Sequence, residues 1–296
     1  MKSEPTRVLV VGCGDLGRRV AALHRGRGDA VIGLVRGGDS AARLESAGVA
    51  PLVADLDATL PALPTRGAFV YYFAPPPETG IVDPRVGRFL HATRRDGPPA
   101  RLVYVSTTGV YGDCGGAWVD ETWPARPAVD RARRRWDAEC RLREWAGADG
   151  GDLVILRVAG IYGPGRLPLG RLRQGLPMVA PEEAPWTNRI HADDLATVCV
   201  AAMDRAPAGA LYNASDGCPG NMADYFNRVA DLAGLPRAPV VRLAEADGRL
   251  SAGLLSYLQE SRRLSNRRML EELGVRLRYP TLDQGLPASL AAETTG

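Results

Sequence analysis

No stretch of the chain approaches 18 consecutive apolar residues, so nothing in it reads as a membrane-spanning helix. Cysteine is sparse. The five (Cys13, Cys114, Cys140, Cys199, Cys218) show no paired spacing, which excludes a disulfide framework and a CxxC-type zinc site. They read as free thiols of a reducing compartment. The three histidines (His24, His91, His191) have no metal-ligand spacing, so no metal is expected. Charge of one sign is also lacking: 37 basic residues face 34 acidic ones, for a net charge of +3. That balance is too mild to imply a nucleic-acid partner, and no stretch interleaves aromatic with basic residues. Arg greatly outnumbers Lys. The opening residues MKSEPTR lead straight into an apolar run and leave no room for a signal peptide, so a cytoplasmic location is expected.

The 296 residues are 45% hydrophobic, enough for one large α/β domain with a lobe. The chain is organised around RVLVVGCGDLGRRVAA, Arg7 to Ala22. The apolar run ends at Gly12-Cys13-Gly14-Asp15-Leu16-Gly17, and an amphipathic helical pattern follows. This is a buried strand, a glycine turn and a helix. Gly12 serves the tight turn, Gly14 lets the backbone approach a pyrophosphate, and Gly17 lets the helix lie close to the strand. The N–H groups opening the helix then face an anion. Five further apolar runs alternate with helical patterns: 30–35, 49–54, 68–73, 101–105 and 153–156. The fold expected is a doubly wound parallel sheet of Rossmann type over residues 1–163. A smaller α+β substrate lobe is expected over 164–296, with 188–205 returning to the first domain. Helices are expected at 193–203, entered through Asp193 or Asn188, at 221–233, and at 265–273 with Ser265 as cap.

Ligands of such sheets bind beyond the carboxyl ends of the strands, so the residues there are the ones to inspect. The second run ends at Arg36, where a site for NAD carries an acid. An arginine suits a 2′-phosphate, which points to NADP(H). Asp55 and Leu56 follow the third run, and Phe73, Ala74 and Pro75 the fourth. Ser106, Thr107 and Thr108 close the fifth, where hydroxyls are placed to hydrogen-bond a reacting oxygen. With Gly12, Gly14, Asp15, Leu16, Gly17 and Arg36, the residues Asp55, Leu56, Phe73, Ala74, Pro75 and Ser106 form the expected cofactor set.

Taken together these residues resemble the extended short-chain dehydrogenases/reductases, the group of nucleotide-sugar epimerases and dehydratases. The resemblance covers nearly the whole chain. It rests on Ser106–Gly112 (STTGVYG), Asp120-Glu121 with Pro124 and Pro127, Arg157–Gly165 (RVAGIYGPG), Arg189–Ala196 (RIHADDLA), Tyr212–Asp216 (YNASD), Arg263–Asn266 and Tyr279–Thr281. Two departures stand out. Val11 replaces the first glycine of the group's GxxGxxG, leaving the more general GxGxxG. More consequentially, the catalytic YxxxK pair is missing: by counting along the segment from Pro127 to Glu139, Arg131 takes the Tyr position and Arg135 the Lys position. Arginine does not lose a proton near neutral pH, so Arg131 is no substitute base.

The resemblance implies hydride transfer with NADP(H) on a small, anionic metabolite, by a reductase or an epimerase/dehydratase. Thr107 takes the position of the family's Ser/Thr, and Tyr111 or Tyr162 could supply a displaced phenol. Thr108, Arg131, Arg135, Tyr162 and His191 are the expected substrate contacts, with the two arginines, four apart, sharing a helix face. The alternative is a non-catalytic NADP(H)-binding redox sensor or binding protein. Relatives also imply a homodimer through the helix holding Trp136 and the helix following the fourth strand.

Overall fold

The computed structural model describes residues 6–294, so residues 1–5, which include most of the opening segment, lie outside the described residues. Seven strands form one sheet: β1 (Arg7–Val11), β2 (Ala30–Val35), β3 (Ala50–Val53), β4 (Phe69–Tyr72), β5 (Arg101–Thr107), β6 (Leu153–Val158) and β7 (Leu211–Ala214). All neighbours are parallel, in the order β7-β6-β5-β4-β1-β2-β3. The central strands are runs of Val, Leu and Tyr buried on both faces, the pattern of a sheet covered by helices on each side. Alternate residues go to opposite layers. Val8, Val10, Val103 and Leu156 pack with α1 (Asp15–Gly26). Leu9, Val11, Leu102 and Ile155 face the other way, toward α3 (Pro84–Asp96) and α4 (Asp130–Asp149). Helix α2 (Gly38–Ser46) adds Ala41 and Leu44 to the α1 side.

The glycine turn is built as its spacing predicts. Gly12 has φ +80°, and a Cβ there would lie 2.5 Å from the Ala74 nitrogen, so the position admits no side chain. At Gly17 a Cβ would approach Val10 Cγ1 to 3.0 Å, so its absence lets α1 lie close on β1.

A short helix α5 (Leu169–Arg173) opens the lobe. The return to the sheet is larger than residues 188–205. Helix α6 (Ala192–Arg205) packs against α1, and β7 adds the seventh strand. The helices α7 (Met222–Leu232) and α8 (Ala252–Leu258) follow, and then α9 (Arg267–Leu273) puts Met269 and Leu273 into the α1-side core. The lobe's own core is smaller. Tyr162, Leu169, Tyr225 and Val229 gather there with Leu286 of α10 (Leu282–Thr294).

Three capping expectations change. The side chain that caps α6 is His191, accepting from Asp193 N–H at 3.2 Å. Asn188 instead joins the 262–264 segment, donating to Arg262 O (3.0 Å) and accepting from Leu264 N–H (2.8 Å). Helix α9 starts two residues later than expected. Asn266, not Ser265, stands at its entry, without a side-chain cap bond, and donates instead to Ser215 O at 2.8 Å.

Candidate active site

Strand β5 runs to Thr107, so the serine and threonine at its end are held in register with Arg157 and Val158 of β6. Beyond these ends lies a cleft of about 510 Å³ between the sheet and the lobe. Of the expected site residues it gathers three: Thr107, Thr108 and Arg131. Thr107 Oγ1 accepts from Gly109 N–H at 3.2 Å, which leaves its own proton free to donate. A Cβ built on Gly109 would lie 3.0 Å from Arg131 Nη1 and 3.5 Å from Thr107 Oγ1, so these two groups converge on one spot. Arg131 reaches from α4 across to α8. Its guanidinium lies 4.0 Å over the Tyr257 ring and donates to Ser256 O (3.3 Å) and Glu260 Oε2 (3.1 Å).

Several expectations fail here, each for a physical reason. Arg135 does not join Arg131. It points back to the sheet, donating to Ala74 O (3.3 Å), Tyr104 Oη (3.3 Å) and Val105 O (3.2 Å). Helical spacing puts two Cα–Cβ bonds on one side, but long side chains follow their acceptors. Tyr111 is fully buried and donates to Asn213 Oδ1 at 2.7 Å. Burial pushes its phenol up to about 12, against the pull of Arg157 stacked 4.6 Å over the ring. It is a structural anchor. Tyr162 belongs to the lobe core and is also buried, its phenol raised by desolvation. His191 is 1% exposed, with Nε2 bonded to Ser289 Oγ at 3.2 Å and its ring 4.1 Å from that of Tyr279. Burial lowers its pKa, so it is a neutral loop anchor. Ser106 is buried and donates to Glu139 Oε1 at 2.5 Å. The Cys13 thiol is buried and pushed up to about 11, which makes it inert.

The remaining residues of the expected cofactor set border the strand ends. Phe73 and Ala74 both donate through N–H to Val11 O, at 2.8 and 3.1 Å. Arg36 is exposed, and no side-chain bond or ion pair ties it among the described residues. Asp55 turns the chain by accepting from Asp57 N–H at 2.9 Å, and Leu56 is buried. These residues fit a dinucleotide. Gly14 has no side-chain cap to offer α1, and a Cβ there would meet nothing within 4 Å, so open space faces the helix's free N–H groups. Asp15, in the first turn, joins the cleft to this turn: it accepts from Arg166 at 2.8 Å and from Arg19 at 3.2 Å. Burial raises the Asp15 carboxyl, but the two arginines outweigh it and hold the pKa below the usual range.

Other residues line the cleft that sequence reasoning passed over: Arg189, Tyr225, Tyr257, Glu260 and Arg262. Arg189 stands inside the quoted RIHADDLA, where attention goes to the histidine. Nothing local marks Glu260 and Arg262, because only the folding back of 256–262 brings them to β5. Among the described residues, no group of His, Cys, Asp and Glu could hold a metal ion, and no helix is long and apolar enough to cross a membrane.

A seven-stranded parallel sheet, a glycine turn opening onto α1 and a cleft at the strand ends define an α/β protein of Rossmann type. The model of the NAD dependent epimerase/dehydratase family matches residues 86–215. The chain is 34% identical to a functionally unknown conserved protein from Silicibacter pomeroyi DSS, with 97% of this chain and 98% of that chain covered and a TM-score of 0.80. Protein YeeZ of Escherichia coli K12 is 28% identical over 180 residues, 61% of this chain. The match spans only 59% of that relative's length. A UDP-glucuronic acid 4-epimerase from Bacillus cereus, in complex with NAD, shares the fold at 16% identity and TM-score 0.78, covering 98% of this chain and 99% of that chain.

Proposed function

We propose that the protein is an NADP(H)-dependent oxidoreductase, of reductase or epimerase/dehydratase type, acting on a small anionic metabolite. The observation that carries this reading is the cleft itself. It lies beyond the ends of β5 and β6, presents the Thr107 hydroxyl, and is tied to the glycine turn through Arg166 and Asp15. When bound, the nicotinamide supplies or accepts the hydride. The chain's residues then orient and polarise. Thr107 donates to the reacting oxygen of the substrate. Glu260 holds Arg131, and Arg131 holds the α8 wall of the cleft through Ser256 and Tyr257. Arg36 contacts the 2′-phosphate, and the N–H groups at the start of α1 contact the pyrophosphate.

The test is a titration of NADPH and NADH into wild type and Arg36→Ala. A charge-assisted phosphate contact is worth about 1.5–3 kcal/mol, so NADPH affinity should fall roughly tenfold to a hundredfold in the variant, with NADH little changed. Equal NADPH affinity in both proteins would refute the assignment. One observation favours a non-catalytic redox sensor instead: α4 carries arginines in place of the Tyr/Lys pair, and Tyr111 and Tyr162 are both buried away from the cleft. Absence of hydride exchange between bound NADPH and every hydroxy or oxo acid tried would give that reading the lead.

A further inference from the structure

We infer that Arg189, not the arginines of α4, is the anchor for the substrate's anionic group, and that this group is a carboxylate or phosphate. The inference rests on the proposed function and names the contact that selects its substrate. Four guanidinium groups line the cleft, and three of them already have a carboxylate partner. Arg131 and Arg262 share Glu260 Oε2 at 3.1 and 2.9 Å, and Arg166 sits on Asp15 at 2.8 Å. Arg189 forms no ion pair with any carboxylate among the described residues, and its side chain makes one long hydrogen bond, Nη2 to Thr187 Oγ1 at 3.5 Å. Its guanidinium lies 3.8 Å over the Tyr225 ring, which fixes its plane and leaves the edge, where the forked donors are, unclaimed. It lies against Gly160, where a Cβ would come within 2.9 Å of Nη1.

A desolvated cation without a counter-charge is costly, and the cost shows: burial lowers the Arg189 pKa. The acid whose field reaches it, Asp216, is a poor counter-ion. It is itself buried, with its carboxyl pushed up to about 7 and one oxygen unpartnered. An oxyanion from the ligand supplies what is missing. The registers place it relative to the chemistry. Thr107 faces Val158, and Arg189 faces Gly160 two residues further on. Both side chains line the one cleft. A short hydroxy or oxo compound, with its acid group a few atoms from the reacting carbon, would reach both.

The test uses the full chain with saturating NADPH, which occupies the cofactor's own phosphate sites. Methyl phosphate and malonate are titrated separately by calorimetry into wild type, Arg189→Gln and Arg131→Met. The expected result is millimolar binding of at least one probe to wild type. It should weaken at least tenfold in Arg189→Gln and much less in Arg131→Met; which probe binds tells phosphate from carboxylate. Binding to Arg189→Gln within twofold of wild type, or no binding of either probe to wild type at 100 mM, would overturn the inference. If Arg189→Gln does not fold, selenate soaked into crystals grown from the wild-type protein decides the matter. An anomalous peak on the Arg189 guanidinium supports the assignment, and a peak confined to other arginines of the cleft refutes it. The titrations are repeated without NADPH, so that failure to bind NADPH, which would sink the cofactor reading, leaves the Arg189 result readable.

Discussion

Replacing Glu139 with alanine tests the footing on which the cleft stands. Glu139 and Arg157 are 0% and 3% exposed and form a two-pronged pair, Nε to Oε1 at 3.1 Å and Nη2 to Oε2 at 2.8 Å. Ser106 of β5 donates to the same carboxylate, so one residue of α4 pins the helix to β5 and β6 together. The guanidinium is further enclosed by the Tyr111 and Trp136 rings, at 4.6 and 5.7 Å. Glu139→Ala removes three hydrogen-bond acceptances and leaves a buried cation unpaired. Breaking a buried pair from one side costs about 3–5 kcal/mol, and for a chain of this size that lowers Tm by on the order of ten degrees. The assay is urea unfolding followed by circular dichroism and tryptophan fluorescence. The double variant Glu139→Leu/Arg157→Met carries the sharper expectation. With both charges gone the desolvation penalty goes too, and stability should return to within about 1–2 kcal/mol of wild type. The reasoning is refuted if Glu139→Ala loses less than about 1 kcal/mol, the worth of an exposed pair, or if the double variant is no more stable than the single one.

Three further outcomes follow from particular contacts. Once a substrate is found, Thr107→Val should lower kcat by about 10²–10³ with KM little changed, the signature of a donor used in the transition state; turnover equal to wild type would move the site elsewhere. Asp216 has a carboxyl pushed up to about 7 by burial, so the stability it contributes is complete below the ordinary carboxylate range and is lost as pH rises through 7. Asp216→Asn, which mimics the protonated acid, should match wild type near pH 4 and melt at a higher temperature at pH 8; identical melting at both pH values would refute the assignment. Light scattering at micromolar concentration is expected to show a homodimer through α3 and α4, and a monomer would count against that interface.

Much of the fold was legible because its causes are local. Gly12, Gly14 and Gly17 stand at intervals that a turn, an open cradle and a close helix each require, and the runs of Val, Leu and Tyr between helical patterns admit only a covered parallel sheet. The strand ends were legible too, and Thr107 and Thr108 stand where expected. What failed was the assignment of roles to residues whose chemistry is shared. Tyr111 and Tyr162 read as phenols available for proton transfer, but only packing reveals that one is bonded to Asn213 and the other is sealed in the lobe core. The arginines make the same point more strongly. Arg131, Arg135, Arg157, Arg189 and Arg262 are the same side chain. Whether each is a strut, a strand-end donor, half of a buried pair or a free cation depends on which acceptor folding delivers to it. Glu260 comes to Arg131 from 129 residues away and Glu139 to Arg157 from 18, while to Arg189 no carboxylate comes within pairing distance among the described residues. Backbone geometry and hydrophobic period are properties of neighbours along the chain. The sequence by itself therefore determined the sheet and the glycine turn. The free energy of a charge depends on neighbours in space, and only the tertiary structure decided which arginine of the cleft is left without a carboxylate partner.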